Sequence, residues 1–274
     1  MTRISVLIPT LNNVQYMDWC LKSLRTNTAN SLQILVHGNC CENADLKKVC
    51  DKWSVDHYQS SVENLGIAVP TNQLAKCADG DIIMYSNDDI YHGINWDTPL
   101  LAAINPGIHY QYITPVMFER QYQNPSMNAP NDFGNTPENF REEEFNTTWK
   151  EKRRITKDII SCWGPPFMTR ELWFEVGGFN ELYYPGWGTD SDIVAEIYFR
   201  ATRQNLPYEF RGVSDSPLYH IQSVGMSKLS AQQSAQYQAT SASIFRRRWG
   251  VDIMTLYNGL IGTSKPLPAA TETL

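Results

Sequence analysis

Nowhere does this sequence run through the ~20 consecutive apolar residues that a membrane-spanning helix needs. Its first apolar stretch, Ile4 to Ile8, is broken by Pro9 too soon to serve as a signal peptide. The six cysteines (Cys20, Cys40, Cys41, Cys50, Cys77, Cys162) show no paired C-x-x-C spacing, which removes a structural zinc site. Cys20, Cys50 and Cys77 fall on apolar helix faces, where a free thiol behaves as a small hydrophobe. The expectation is a reduced, cytoplasmic protein with no stable membrane insertion. Positive charge is also short: 23 Lys and Arg face 29 Asp and Glu, for a net charge of −6. Nucleic acid is thereby disfavoured as a partner, because phosphate contacts need a basic surface. No G-x-G-x-x-G follows the first strand, no P-loop is present, and no Ser-His-Asp or nucleophile-elbow pattern occurs.

What is present is 274 residues, 42% of them hydrophobic, enough to bury a substantial core. Ile4–Ile8 reads as a β-branched strand, and Met17, Cys20, Leu21 and Leu24 then follow at the spacing of one helix face. Leu32–Val36 is a second strand, and Leu46, Val49, Cys50 and Trp53 repeat the helical spacing. A short strand at His57–Ser60 precedes a helix carrying Leu74, Cys77 and Ala78, which Gly80 can end. Ile82–Tyr85 is the fourth strand. This alternation predicts an α/β fold with a mixed, mostly parallel sheet flanked by helices. Beyond Asp89 the rhythm stops. A short helix at Pro99–Ile104 and a strand at Ile108–Met117 are expected, then an irregular insertion over 119–157, rich in Asn, Pro and charge. Asp158–Cys162 reads as a strand, Thr169 as a helix cap and Gly177-Gly178 as a helix stop. A helix follows Asp192, a strand spans Tyr208–Val213, and Tyr219-His220-Ile221 falls in a polar loop. A last helix covers Ala231–Trp249, and residues 251–274 form a C-terminal tail. Residues 1–110 and 111–250 are expected as two halves of one domain.

Two acidic clusters stand out. The run Ile82-Ile83-Met84-Tyr85 stops at Asn87-Asp88-Asp89, where ligands of open α/β sheets bind, beyond the carboxyl ends of strands. Two adjacent carboxylates repel unless a cation joins them; the alternative is a solvated Asp-Asp turn. The second cluster is Asp190-Ser191-Asp192, after Tyr184-Pro185-Gly186-Trp187-Gly188-Thr189 and before an apolar helix. Here the alternative is two carboxylates held at a helix N-terminus by the macrodipole. Together with His220, these oxygen donors suit Mn²⁺ or Mg²⁺. A cation at Asp89 would stabilise a diphosphate leaving group, and a second carboxylate could take a proton from an acceptor hydroxyl.

Ser5-Val6-Leu7-Ile8-Pro9-Thr10-Leu11-Asn12, Asn64-Leu65-Gly66, Thr71-Asn72 and Gly80-Asp81 leading to Asn87-Asp88-Asp89 resemble the first half of family 2 inverting glycosyltransferases. Val176-Gly177-Gly178-Phe179-Asn180-Glu181 followed by Thr189-Asp190-Ser191-Asp192 resembles their second half, "GGFDE" then "EDxD". Gly186 to Asp192 is also similar to the GWGGEDDD stretch of β-1,4-galactosyltransferases, and Phe245 to Gly250 to the "KWG" ending. The resemblance implies the GT-A fold and a hexose moved from a nucleoside diphosphate, UDP favoured, to an acceptor hydroxyl, that of a glycan above all. It implies donor contacts from Pro9, Thr10, Asn12, Gly38, Asn39, Asn64, Gly66, Asn72, Asn87 and Asp88. Asp89 and His220 would hold the metal, Mn²⁺ or Mg²⁺. Asp190 would be the catalytic base, with Asp192 orienting the loop or acceptor. Trp163, Trp187, Gly188 and Thr189 would meet the acceptor. Asn87 stands where the family often has a first Asp, so within that motif Asp89 alone is expected to touch the metal. Two other readings remain open. A sugar nucleotidylyltransferase would need a Gly-rich basic loop where Pro9-Thr10-Leu11-Asn12-Asn13 stands. A non-catalytic nucleotide-sugar or glycan-binding module is the other.

Overall fold

The computed structural model describes residues 2–40, 44–120, 128–153, 164–221 and 229–260. The first half alternates strand and helix: β1 (Arg3–Thr10), α1 (Val14–Asn27), β2 (Ser31–Gly38), α2 (Ala44–Lys52), β3 (His57–Ser60), α3 (Ala68–Lys76) and β4 (Ile82–Tyr85). These strands are parallel in the order β3-β2-β1-β4. The apolar runs of β1, β2 and β4 reflect cover on both faces, whereas β3 (HYQS) at the edge is polar and only partly buried. Ile4, Val6 and Ile8 of β1 pack with Met17, Leu21 and Leu46 from α1 and α2. Leu7 points the other way, into the cluster holding Leu74 and Ala75 of α3. Gly80 does not end α3, whose C-cap is Cys77. It is glycine because β1 passes against it: a Cβ there would lie 2.7 Å from both the Arg3 carbonyl oxygen and Ser5 Oγ. Cys77, expected to face inward, is exposed at that helix end.

The second half continues with β5 (Ile90–His92), α4 (Asp97–Ala103), β6 (Tyr110–Glu119), β7 (Asn128–Pro130), α5 (Glu142–Lys152), β8 (Phe167–Thr169), α6 (Arg170–Val176), α7 (Thr189–Arg203), β9 (Tyr208–His220), α8 (Ala231–Trp249) and α9 (Ile253–Leu260). The sheet extends as β4-β8-β6-β9-β5, with β7 beside β6. Only β8 and β5 run antiparallel to their neighbours among the described strands. The chain thus has the expected α/β class, a curled and mainly parallel sheet between helices. Thr169 caps α6, its side chain accepting from the Leu172 amide at 3.2 Å, and Gly177 ends it at φ +86°.

Three expectations change. The polar loop around His220 is strand: β9 runs thirteen residues, and a register irregularity lets Pro115 pair with Val213 while Val116 pairs with Pro217. The extra residues Ser214-Asp215-Ser216 break the alternation that marks a strand. The insertion at 119–157 is not wholly irregular, since it contains β7 and α5. α5 buries only Phe145 and Trp149, one face of a helix that is otherwise polar, so its period is faint. Those two rings join Trp19, Tyr91, Phe118, Phe133 and Tyr219 in an aromatic cluster. Finally, the tail begins with a helix, α9, whose Leu256 and Tyr257 are buried. The expected strand at Asp158–Cys162, Trp163 and the segment 263–274 lie outside the described residues.

Candidate active site

The carboxyl ends of β1, β2 and β3 are level, with Thr10 beside Gly38 and Gly38 beside Ser60. The chain leaves β4 at Tyr85 and delivers Asn87, Asp88 and Asp89 to the same edge. Asp88 is buried, and its Oδ2 accepts from Thr10 Oγ1 at 2.5 Å and Asn13 Nδ2 at 2.9 Å. That carboxylate therefore ties the β1 loop to the β4 loop. Asn39 performs a similar service for the outer loops. Its Nδ2 donates to Asn64 Oδ1 and to the Gly66 carbonyl, each at 2.9 Å, and its Oδ1 accepts from the Leu65 amide at 2.8 Å. Gly66, at φ +74°, lies under the 184–186 loop: a Cβ would stand 3.0 Å from the Pro185 carbonyl oxygen, and Ile67 N donates to that oxygen at 2.8 Å. The Gly/aromatic loop of the second half thus rests on the donor-side loops of the first. Pro9 is half-buried on β1, and Asn12 is exposed with φ +57°.

Asp89 meets the second half directly. Its Oδ1 is 3.2 Å from His220 Nε2, while His220 Nδ1 is 2.8 Å from Glu119 Oε1. All three side chains are largely buried. Burial opposes a charge on His220, but Asp89 and Glu119 outweigh it and carry its pKa up to about 10. Asn87 Nδ2 lies 3.3 Å from the same Nε2, and Tyr85 donates its hydroxyl to Asn87 Oδ1. Burial pushes the Tyr85 hydroxyl well above its ordinary pKa, and the charges of Asp88, Asp89 and Asp190 push it the same way. The Tyr85 hydroxyl thus feels carboxylates of both acidic clusters.

Asp190 and Asp192 take different environments. Asp190 is half-buried and accepts from the Ser191 amide at 2.9 Å. Burial raises its pKa to about 7, against the lowering effect of backbone donors. Asp192 is buried and saturated: Tyr183 Oη donates to Oδ1 at 2.9 Å, Trp249 Nε1 donates to Oδ1 at 2.7 Å, and Arg248 Nη1 lies 3.1 Å from Oδ2. Arg248 also pairs with Glu196. Asp192 thus locks α8 onto α7. Thr189 is buried and turns its hydroxyl to the Gly186 carbonyl at 2.9 Å, closing the turn, and Gly188 precedes α7 at φ +87°. Trp187 is half-buried, and its Nε1 is buried with no hydrogen-bond partner.

The structure brings together Thr10, Asn87, Asp88, Asp89 and His220, and separately Gly38, Asn39, Asn64 and Gly66 with the loop before Trp187. Asn72 stands apart, its amide paired with the Phe179 backbone: Nδ2 donates to the carbonyl at 2.7 Å and Oδ1 accepts from the amide at 3.0 Å. Sequence reasoning passed over Asn13, Tyr85 and Glu119. Glu119 falls beyond the expected strand Ile108–Met117, at the start of the expected insertion, and only the longer β6 makes it a strand residue. Among the described residues no group of three or more His, Cys, Asp and Glu could enclose a metal, and no helix is long and apolar enough to cross a membrane.

No curated protein sequence matches this chain. Solved structures do match in fold. S. aureus TarS 1-349 in complex with UDP superposes with a TM-score of 0.59 at 16% identity, over 96% of this chain and 75% of that one. The mannosyltransferase PcManGT from Pyrobaculum calidifontis, in complex with GDP-Man and Mn²⁺, gives 0.59 at 14% identity, over 96% and 69%. GalNAc-T7 with UDP, GalNAc and Mn²⁺ gives 0.62 at 16% identity, over 94% and 50%. A longer TarS structure is spanned over only 40% of its length. These are GT-A folds. The description "Glycosyl transferase family 2" matches residues 5–175, well over half the chain, from β1 through the Asp88-Asp89 corner to α6. With that match and this fold, the chain belongs to glycosyl transferase family 2 and is a glycosyltransferase.

Proposed function

We propose that the chain moves a hexose from a nucleoside diphosphate sugar, UDP before GDP, to an acceptor hydroxyl of a glycan, by single displacement with inversion. The observation that carries this reading is Asp190, a half-buried carboxylate whose pKa burial raises to about 7 and whose charge, like those of Asp88 and Asp89, acts on the Tyr85 hydroxyl. A base titrating near working pH has the best compromise between being ionised and accepting a proton. As the acceptor oxygen bonds to the anomeric carbon, Asp190 takes its proton, and the bond to the diphosphate oxygen breaks on the opposite face. Asp192, held by Tyr183, Arg248 and Trp249, keeps α7 in place so that Asp190 stays aimed.

The donor half fits the carboxyl edge. Pro9, Thr10, Gly38 and Asn39 line the ends of β1 and β2, where a nucleoside would lie, and Asp88 holds their loops together. A divalent cation fits beside Asp89. Asp89 Oδ1 and His220 Nε2 converge on one point, and a carboxylate behind the other ring nitrogen is the usual support of a metal-binding imidazole. When bound there, Mn²⁺ or Mg²⁺ neutralises the diphosphate as it departs. The UDP, GDP-Man and Mn²⁺ of the similar structures favour the same ligands here. Trp187, half-buried in the loop before α7, offers the acceptor sugar an aromatic surface.

The test is Asp190→Asn. It should keep UDP-sugar affinity by calorimetry while transfer, followed as UDP release with acceptor present, falls about 10²- to 10⁴-fold. Residual turnover within a few fold of wild type would move the base elsewhere.

A further inference from the structure

Glu119 touches neither donor nor acceptor in the transfer just described, yet its burial is costly. It ends β6, a strand buried at every residue, and is itself only 4% exposed. A carboxylate there forfeits its hydration and needs strong compensation. The compensation is on the next strand: Glu119 pairs in register with His220 of β9, and its Oε1 sits 2.8 Å from Nδ1. Asp89 sits at the other ring nitrogen, Nε2, at 3.2 Å. The two nitrogens point out of the imidazole in divergent directions, so an ion between Asp89 and Nε2 cannot also touch Glu119.

We propose that Glu119 is a positioning residue for the cation. By accepting from Nδ1 it fixes the ring orientation that keeps Nε2 toward Asp89, so that a cation arriving there can take the place of the Nε2 proton. Asn87 borders the same nitrogen. Its Oδ1 is taken by the Tyr85 hydroxyl, and its Nδ2 lies 3.3 Å from Nε2. Without Glu119 the ring is free to turn Nε2 away from Asp89, and the cation loses a ligand. The inference rests on the proposed metal reading of Asp89 and His220.

The experiment is direct titration with Mn²⁺ in the presence of UDP, reading free Mn²⁺ by electron paramagnetic resonance. Glu119→Gln keeps volume and an acceptor oxygen but weakens the pull on Nδ1, and should raise the Mn²⁺ Kd roughly 10-fold, with Glu119→Ala nearer 100-fold. The metal-free melting temperature of each variant checks that it folds; His220→Gln replaces His220→Ala if the latter does not. The decisive comparison is a double-mutant cycle. Because Glu119 acts through His220, E119Q should add nothing to the Kd of H220A. An E119Q variant that binds Mn²⁺ like wild type, or one whose penalty persists in H220A, overturns the positioning role while leaving the metal reading intact. If H220A itself binds Mn²⁺ as wild type does, the metal reading falls and this inference with it.

Discussion

Replacing Asp192 with alanine should unfold the protein at a markedly lower temperature. The carboxylate serves three partners at once: the Tyr183 hydroxyl, the Trp249 indole N–H and the Arg248 guanidinium. Tyr183 and Trp249 are buried, so the variant leaves two buried donors unanswered, at ~1–3 kcal/mol each. Arg248 suffers less, since it is about one-third exposed and keeps Glu196 as a partner. Relief of the burial that pushes the Asp192 pKa upward offsets part of the loss. The balance is about 2–4 kcal/mol, near the low end for removing one partner of a buried pair. At roughly 2–4 °C per kcal/mol for a domain of this size class, the melting temperature falls by about 4–16 °C. Differential scanning calorimetry of Asp192→Ala beside Asp190→Asn is the assay. A melting temperature for Asp192→Ala within about 1 °C of wild type would refute the lock and reopen Asp192 as a group that works on substrate.

Two further outcomes are expected. Asp190 has a folded pKa of about 7, raised by burial above its ordinary value of 3.8. The ionised form is the base, so kcat/KM should rise about tenfold per pH unit below that value and level above it. The linkage has the opposite sense for stability, because the folded state holds the proton more tightly than the unfolded chain. The contribution is complete below pH 3.8 and lost as pH rises through about 7. Asp190→Asn should therefore raise the melting temperature more at pH 8 than at pH 5; an equal change at both would contradict the shift. Phe145→Ala should cost about 3–5 kcal/mol, because its ring is fully buried among Tyr91, Phe118, Phe133 and Tyr219. Urea unfolding measures it, and a loss under 1 kcal/mol would mean that α5 is peripheral.

Much of the first half was legible because its physics is local. Strands buried on both faces write unbroken apolar runs, and helices over them write an apolar stripe, so β1, β2, β4 and α1 to α3 follow from the letters. The turn from Ile82–Tyr85 to Asp88-Asp89 belongs to the same kind of signal. Thr169 and Gly177 are legible for another local reason, the unsatisfied groups of a helix end. The second half speaks more faintly. His220 lies in a strand whose alternation is broken by Ser214-Asp215-Ser216, and α5 shows only two buried side chains.

What the sequence determined by itself was the alternation, the family motifs and the presence of two acidic clusters. It could not say which acid does what. Asp190 and Asp192 are the same residue two positions apart at the start of one helix. At ~100° per residue their side chains leave α7 about 200° apart. One meets the donors of α8 and is bound fast. The other is left half-buried, without a side-chain cation among the described residues, its charge felt by the Tyr85 hydroxyl. Glu119 and His220 are a hundred residues apart and become a pair only through the register of β6 on β9. Pairing across a sheet and burial against a distant helix are properties of the whole packed chain, so only the tertiary structure could assign these carboxylates their places.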